Sequence, residues 1–360
     1  MGASKSNQLA SGAPPEERGY KVVSIGGGTG LSSLLQGLKW YVSKVGEVRT
    51  PGPFLSQLSA VVTVSDDGGS SGKLRKDFKV LAPGDVRNCI VALSEDEALL
   101  ARLFQFRFPA GSALSGHTLG NLFLTALSQM TGDFGKAVEL SSAVLKTRGT
   151  IFPATTANVG LEALMDDGSH VRGETRISAS KKRIVELRLD PANAPPMPQT
   201  LDAIAEADLI TIGPGSLFTS LVPNLLVRGI AEAISASAAV KVFVCNLMTE
   251  AKESLGLSAA GHVRALYEHA RRPIFDFALI NERPVSAQTA AKYAAEGACQ
   301  IFADIAEFQA LGVMPVLGDF LVEGEVARHA SDRVAAELMR LLVESRRRTC
   351  AKVAANVEEG

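Results

Sequence analysis

Short apolar runs, each closed by glycine, an acid or an amide, recur along the chain at residues 22–25, 58–65, 207–212, 240–245 and 275–280. Unbroken runs of this length suit strands covered on both faces, as in a parallel sheet. Between them apolar positions return at helical spacing over 31–41, 86–93, 119–130, 134–146, 225–234, 263–270 and 334–343. Strands alternating with helices predict an α/β fold, Rossmann-like and doubly wound about a mostly parallel sheet. Such sheets bind ligands beyond the carboxyl ends of their strands.

The middle of the chain has a different period. Residues 158–165 alternate polar and apolar, Asp166-Asp167-Gly168 is a turn signal, and 171–177 and 184–189 read as partner strands. The pattern predicts an antiparallel β insertion and a proline-bearing connector over 148–200. They divide the α/β body into 20–147 and 201–345. Residues 1–19 and 346–360 read as tails.

Composition narrows the class. The 360 residues are 46% apolar and 21% charged, with a net charge of −1, which gives no footprint for nucleic acid. No apolar run reaches the roughly 18 residues of a membrane span, and the N-terminus lacks a signal-peptide core. Cys89, Cys245, Cys299 and Cys350 show no metal or redox spacing and read as free thiols. The expectation is a cytoplasmic protein with neither a nucleic-acid nor a membrane partner.

Candidate chemistry sits where strands end. The first apolar run feeds Gly26-Gly27-Gly28-Thr29-Gly30-Leu31. Glycines there let main-chain N–H groups approach an anion, and the new helix turns its positive end toward it. The spacing is neither a strict GxGxxG nor a P-loop, so a plain tight turn is the competing reading. The second run ends Ser65-Asp66-Asp67-Gly68-Gly69-Ser70-Ser71-Gly72. Asp66 and Asp67 can meet a ribose hydroxyl or hold Mg²⁺ with phosphate and water. Gly69, Ser70 and Ser71 add donors, and Lys73, Arg75 and Lys76 can neutralise a diphosphate.

Asp85 reads either as a helix N-cap or as a ligand residue, with Arg87 and Asn88 in the turn that follows. His117 opens another helix, and Asn121 lies one turn on, on the same face. Gly213-Pro214-Gly215-Ser216 repeats the strand–glycine–helix logic in the second half, and Asn246 closes the next run. No GxSxG, HExxH or metal-spaced Cys/His cluster is present. The residues by themselves predict a nucleotide or phosphorylated ligand in a cleft. They leave open whether it is bound or turned over.

Taken in order, the segments 26–31, 64–72, 83–89, 103–108, 116–122 and 213–217 resemble the gluconeogenesis factor family of bacteria, which is related to 2-phospho-L-lactate transferase. The resemblance runs from about residue 21 to about residue 345. It implies a cytoplasmic regulator that binds a UDP-sugar such as UDP-N-acetylglucosamine and supports cell shape and cell-wall precursor supply on gluconeogenic carbon sources. It also implies a protein partner in amino-sugar synthesis and a homo-oligomer.

A ligand set follows: Gly27, Gly28, Thr29, Gly30, Leu31, Asp66, Asp67, Gly69, Ser70, Ser71, Asp85, Arg87, Asn88, His117, Asn121, Gly213, Pro214, Gly215, Ser216 and Asn246. The resemblance alone adds Tyr293 and Arg328, which it places on the UDP-sugar. No cofactor is required. Mg²⁺ on Asp66 and Asp67 belongs to a transferase alternative, and NAD is a competing occupant of the crevice. The chain departs from the family pattern at Ser65, Lys73 and Ala82, at Glu250 where glutamine is usual, and at Gly261 and Ala330 where aspartate is usual. These departures leave the 248–262 loop and His329 outside the expected ligand set.

Overall fold

The five apolar runs become the five middle strands of one sheet. The computed structural model describes residues 18–43, 52–95, 98–180, 182–250 and 253–358, with the side chains at 98 and 349–358 excepted. The strands in the first half are β1 (Tyr20–Gly26), β2 (Leu55–Val62), β3 (Thr150–Pro153), β4 (Gly160–Met165), β5 (His170–Arg172) and β6 (Ile184–Asp190). The second half carries β7 (Leu209–Ile212), β8 (Val240–Val244), β9 (Phe277–Asn281), β10 (Met314–Gly318), β11 (Leu321–Glu323) and β12 (Ala327–His329).

Seven strands pair in the order β10-β9-β8-β7-β1-β2-β3, every pair parallel. From β1 the chain steps outward through β2 to β3, and from β7 it steps the other way to β10. The direction therefore reverses between β1 and β7, where a doubly wound sheet opens its crevice. β7 is buried throughout and β1 nearly so, as unbroken apolar runs require. Helices cover the sheet, and the helix Gly28–Leu38 turns Leu31, Leu34, Leu35 and Leu38 into the core.

The insertion forms as expected, as a three-stranded antiparallel sheet ordered β5-β4-β6. Its boundary does not. β3 lies within 148–200 yet pairs with β2 at the edge of the main sheet. The expected partner strand over 171–177 is only three residues long before the helix Glu174–Ala179 begins. The helix expected over 225–234 is broken into Val222–Leu226 and Ile230–Ala236, with Gly229 at φ 84° between them.

Residues 1–17 of the N-terminal segment lie outside the described residues. Arg18, its last side chain, pairs with Asp208 at 2.9 Å. At the other end the helix Ser331–Glu358 continues through most of the expected tail. Cys89 and Cys245 are buried free thiols, whereas Cys299 is exposed. Among the described residues no single helix is long and apolar enough to cross a membrane.

Candidate functional site

The two glycine turns open into one cleft of about 730 Å³. Gly27, Gly28, Thr29 and Gly30 form one wall, and Pro214, Gly215 and Ser216 form the facing wall. Because β1 and β7 are neighbours, their turns touch. A Cβ on Gly30 would run into the Pro214 carbonyl, and one on Gly215 would stand 3.5 Å from the Gly27 carbonyl oxygen. Gly28 sits at φ 62°, a conformation side chains rarely adopt. Leu31 is placed otherwise than expected. Its side chain is fully buried in the core, and its N–H points back to the Gly27 carbonyl. Gly213 also lies off the cleft, at φ 85°, packed against the Val244 carbonyl.

Side chains of the protein itself engage the amides of both turns. The Asp85 carboxylate lines the cleft against Gly27, with the Gly28 N–H acting on it. Burial, then the nearby Asp66 charge, push the Asp85 pKa up to about 6. Asp85 makes no N-cap hydrogen bond to its own helix, Gly84–Leu93. At the second turn Asn246 closes a two-way clasp: Gly215 N–H donates to Asn246 Oδ1 at 3.0 Å, and Asn246 Nδ2 donates to Gly215 O at 2.9 Å. Asn246 lines the cleft while acting as a backbone mimic.

Asp66 and Asp67 take separate partners. Asp66 Oδ1 accepts from Gly68 N at 2.8 Å and faces Asp85 and Glu174. Asp67 Oδ1 accepts from both the N–H and the hydroxyl of Thr175, at 2.8 and 2.7 Å, and so fastens the antiparallel insertion to the loop after β2. Among the described residues no group of three His, Cys, Asp or Glu side chains is arranged for a metal ion. Burial, followed by the Asp66 charge, raises Glu174 to about 7. Arg75, expected to face a diphosphate, instead donates to the carbonyls of Ser65 and Asp66 at 3.0 and 2.9 Å and to Asn158 and Val159 of the insertion.

Gly69, Ser70, Ser71, Arg87, His117 and Asn121 stand outside the cleft lining. Ser70 Oγ meets His117 Nδ1 at 2.9 Å and accepts from Asn121 Nδ2 at 3.1 Å. Ser71 is buried beneath Gly84, and Gly69 opens the helix Gly69–Phe78 at φ 45°. Arg87 links the two regions. It donates to Thr118, which caps the helix Leu119–Thr131, and to Asn88, which lines the cleft. Burial and then Arg107 lower the Arg87 pKa.

The outer wall comes from late in the chain. Tyr293, on the helix Ala287–Ala294, packs with Leu247, Met248 and Ala327 and accepts from the Ala327 N–H at 3.2 Å. Arg328 projects from the β11–β12 hairpin and is exposed. Both line the cleft. So do Met248, Thr249, Glu250 and His329, which the family departures had set aside. His329 Nε2 must carry a proton, because it meets the Cys245 carbonyl at 3.0 Å. Burial lowers this ring to about 4, so it is neutral. Ser32, Ser33 and Gln36 also line the cleft. Their signal is helical spacing: they follow Gly28 on the helix that the first turn starts.

An open parallel sheet with a cleft between two glycine turns at its reversal point defines a Rossmann-like α/β protein. The family model described as 2-phospho-L-lactate transferase CofD matches residues 22–321, and the chain belongs to that family. A gluconeogenesis factor of Bacillus subtilis is 45% identical over 326 residues, 90% of this chain and 98% of that protein. The gluconeogenesis factor of Halalkalibacterium halodurans is 44% identical over 319 residues, 88% of this chain and 95% of its own. A crystal structure of a Bacillus halodurans protein superposes with a TM-score of 0.84 at 44% identity, covering 89% of this chain and 99% of that one.

Proposed function

We propose that this protein is a gluconeogenesis factor, a cytoplasmic regulator that binds a UDP-sugar, UDP-N-acetylglucosamine, between the two glycine turns. On this reading it works by binding. It signals to a protein partner in amino-sugar synthesis and supports cell shape and cell-wall precursor supply on gluconeogenic carbon sources. It acts as a homo-oligomer and needs no cofactor. The relatives' shared name supports the role.

The observation that carries the ligand class is the meeting of both glycine turns in one cleft, with Arg328 and Tyr293 on its outer wall. An arginine pairs bidentately with a diphosphate, and a tyrosine ring offers a stacking face to uracil. Isothermal titration with UDP-N-acetylglucosamine tests the reading. Saturable binding is expected, and no heat at millimolar ligand overturns it. Titration with NAD in parallel identifies the dinucleotide as the occupant if it alone binds.

A second reading, a transferase of the 2-phospho-L-lactate type, draws on the family description and on the neighbouring Asp66 and Asp85 carboxylates. It requires turnover of a nucleoside-diphosphate-linked donor with a deazaflavin acceptor in the presence of Mg²⁺. An unchanged donor–acceptor pair removes it.

A further inference from the structure

Glu250 stands where the proposed ligand's negative charge would lie. It lines the cleft with Ser216, and Asn246 Nδ2 lies 3.4 Å from its Oε1. The second glycine turn thus faces a carboxyl group. Among the described residues the charged group acting on Glu250 is Glu253, also an acid, held from behind by Thr219 and Ser178 at 2.9 and 3.0 Å. An ionised Glu250 beside an incoming diphosphate would set like charges together in a half-buried site, which is unfavourable.

Resting on the reading that the ligand is a nucleoside-diphosphate sugar, we infer that Glu250 is a ligand-facing residue that takes up one proton when the diphosphate enters. The proton comes from solvent and ends on the Glu250 carboxyl. No bond in the ligand changes. The protonated carboxyl then donates a hydrogen bond where the ionised one repels. Burial, and then Glu253, already hold the free carboxyl up at about 7, so the exchange falls in the neutral range. Among the described residues the other titratable groups lining the cleft are Asp85, Tyr293, Arg328 and His329. Asp85 titrates lower, at about 6, and His329 at about 4. A UDP-sugar has no phosphate proton to lose near neutrality, so its own titration does not enter.

The test is calorimetric titration of UDP-N-acetylglucosamine near pH 8 in two buffers of different ionisation heat, on the full chain and on Glu250→Gln. The wild-type protein is expected to take up most of one proton per ligand. Its affinity should fall on the order of tenfold between about pH 6.5 and about pH 8.5. Glu250→Gln should take up none and keep its affinity across that range. Binding without proton uptake in the wild-type protein, or equal uptake in the variant, overturns the inference and leaves the ligand assignment standing. No binding by either protein at either pH overturns the ligand assignment and the inference with it. Circular dichroism of the variant establishes that it is folded.

Discussion

The turn after β1 and the turn after β7 are built to one plan and wired differently. Each follows a buried parallel strand and leads into a helical segment. The first is closed by a carboxylate, Asp85, reaching across from a separate helix to the Gly28 N–H. The second is closed by a neutral amide, Asn246, which satisfies a donor and an acceptor of Gly215 together. The same local geometry therefore gives one turn whose clasp carries a titratable charge and one whose clasp does not. A glycine-rich turn by itself does not say how its amides are used, because the partner comes from elsewhere in the chain.

The largest expected effect breaks the contact that makes the two turns one cleft. Gly30→Ala drives a methyl group into the Pro214 carbonyl, and backbone cannot yield as a side-chain tip can. A loss of about 3 kcal/mol is expected in denaturant unfolding. Wild-type stability would show that the turns move apart freely.

Next, Arg328→Ala asks whether both turns serve one ligand. UDP-sugar binding should weaken by about 2 kcal/mol with stability unchanged, because Arg328 is exposed. Unchanged affinity removes the β11–β12 hairpin from the site. Asn246→Ala opens the second clasp alone. Loss of two neutral hydrogen bonds should cost about 1.5 kcal/mol in thermal unfolding, and a neutral result means water replaces the amide.

An effect that shows only as pH changes sharpens the contrast in charge. The Asp85 carboxyl is raised from 3.8 to about 6, so the folded protein holds a proton that the unfolded chain has released. Stability from this group is complete below its unfolded value and declines as pH rises through about 6. Asp85→Asn carries no such dependence. Its stability relative to wild type should improve by about 2 kcal/mol between about pH 4 and about pH 7. A constant difference across that interval would place the carboxylate in ordinary solvent.

Much of this was legible in the sequence. Buried strands announce themselves as unbroken apolar runs, and β1, β2, β7, β8 and β9 were all visible that way. The edge strands were not. β3 has four residues, and β10 contains Pro315 and leaves Met314 and Leu317 exposed, so neither carries the full apolar signature. In the candidate site the glycine turns were legible because backbone demands fix residue type. Leu31, Gly213, Arg87 and Arg75 matched the motifs and yet support the cleft from behind, since a motif does not record direction. Glu250 and His329 were hidden for the opposite reason. Glu250 departs from the family pattern and His329 stands beside the departure at Ala330, and only the fold brings them to the wall.

The insertion is fastened to the loop after β2 at two points, through Asp67 on Thr175 and through Arg75 on Asn158 and Val159. That loop also holds Asp66, the neighbour of Asp85. Two separate attachments brace the small sheet against that loop, so that it resists pivoting about either one alone.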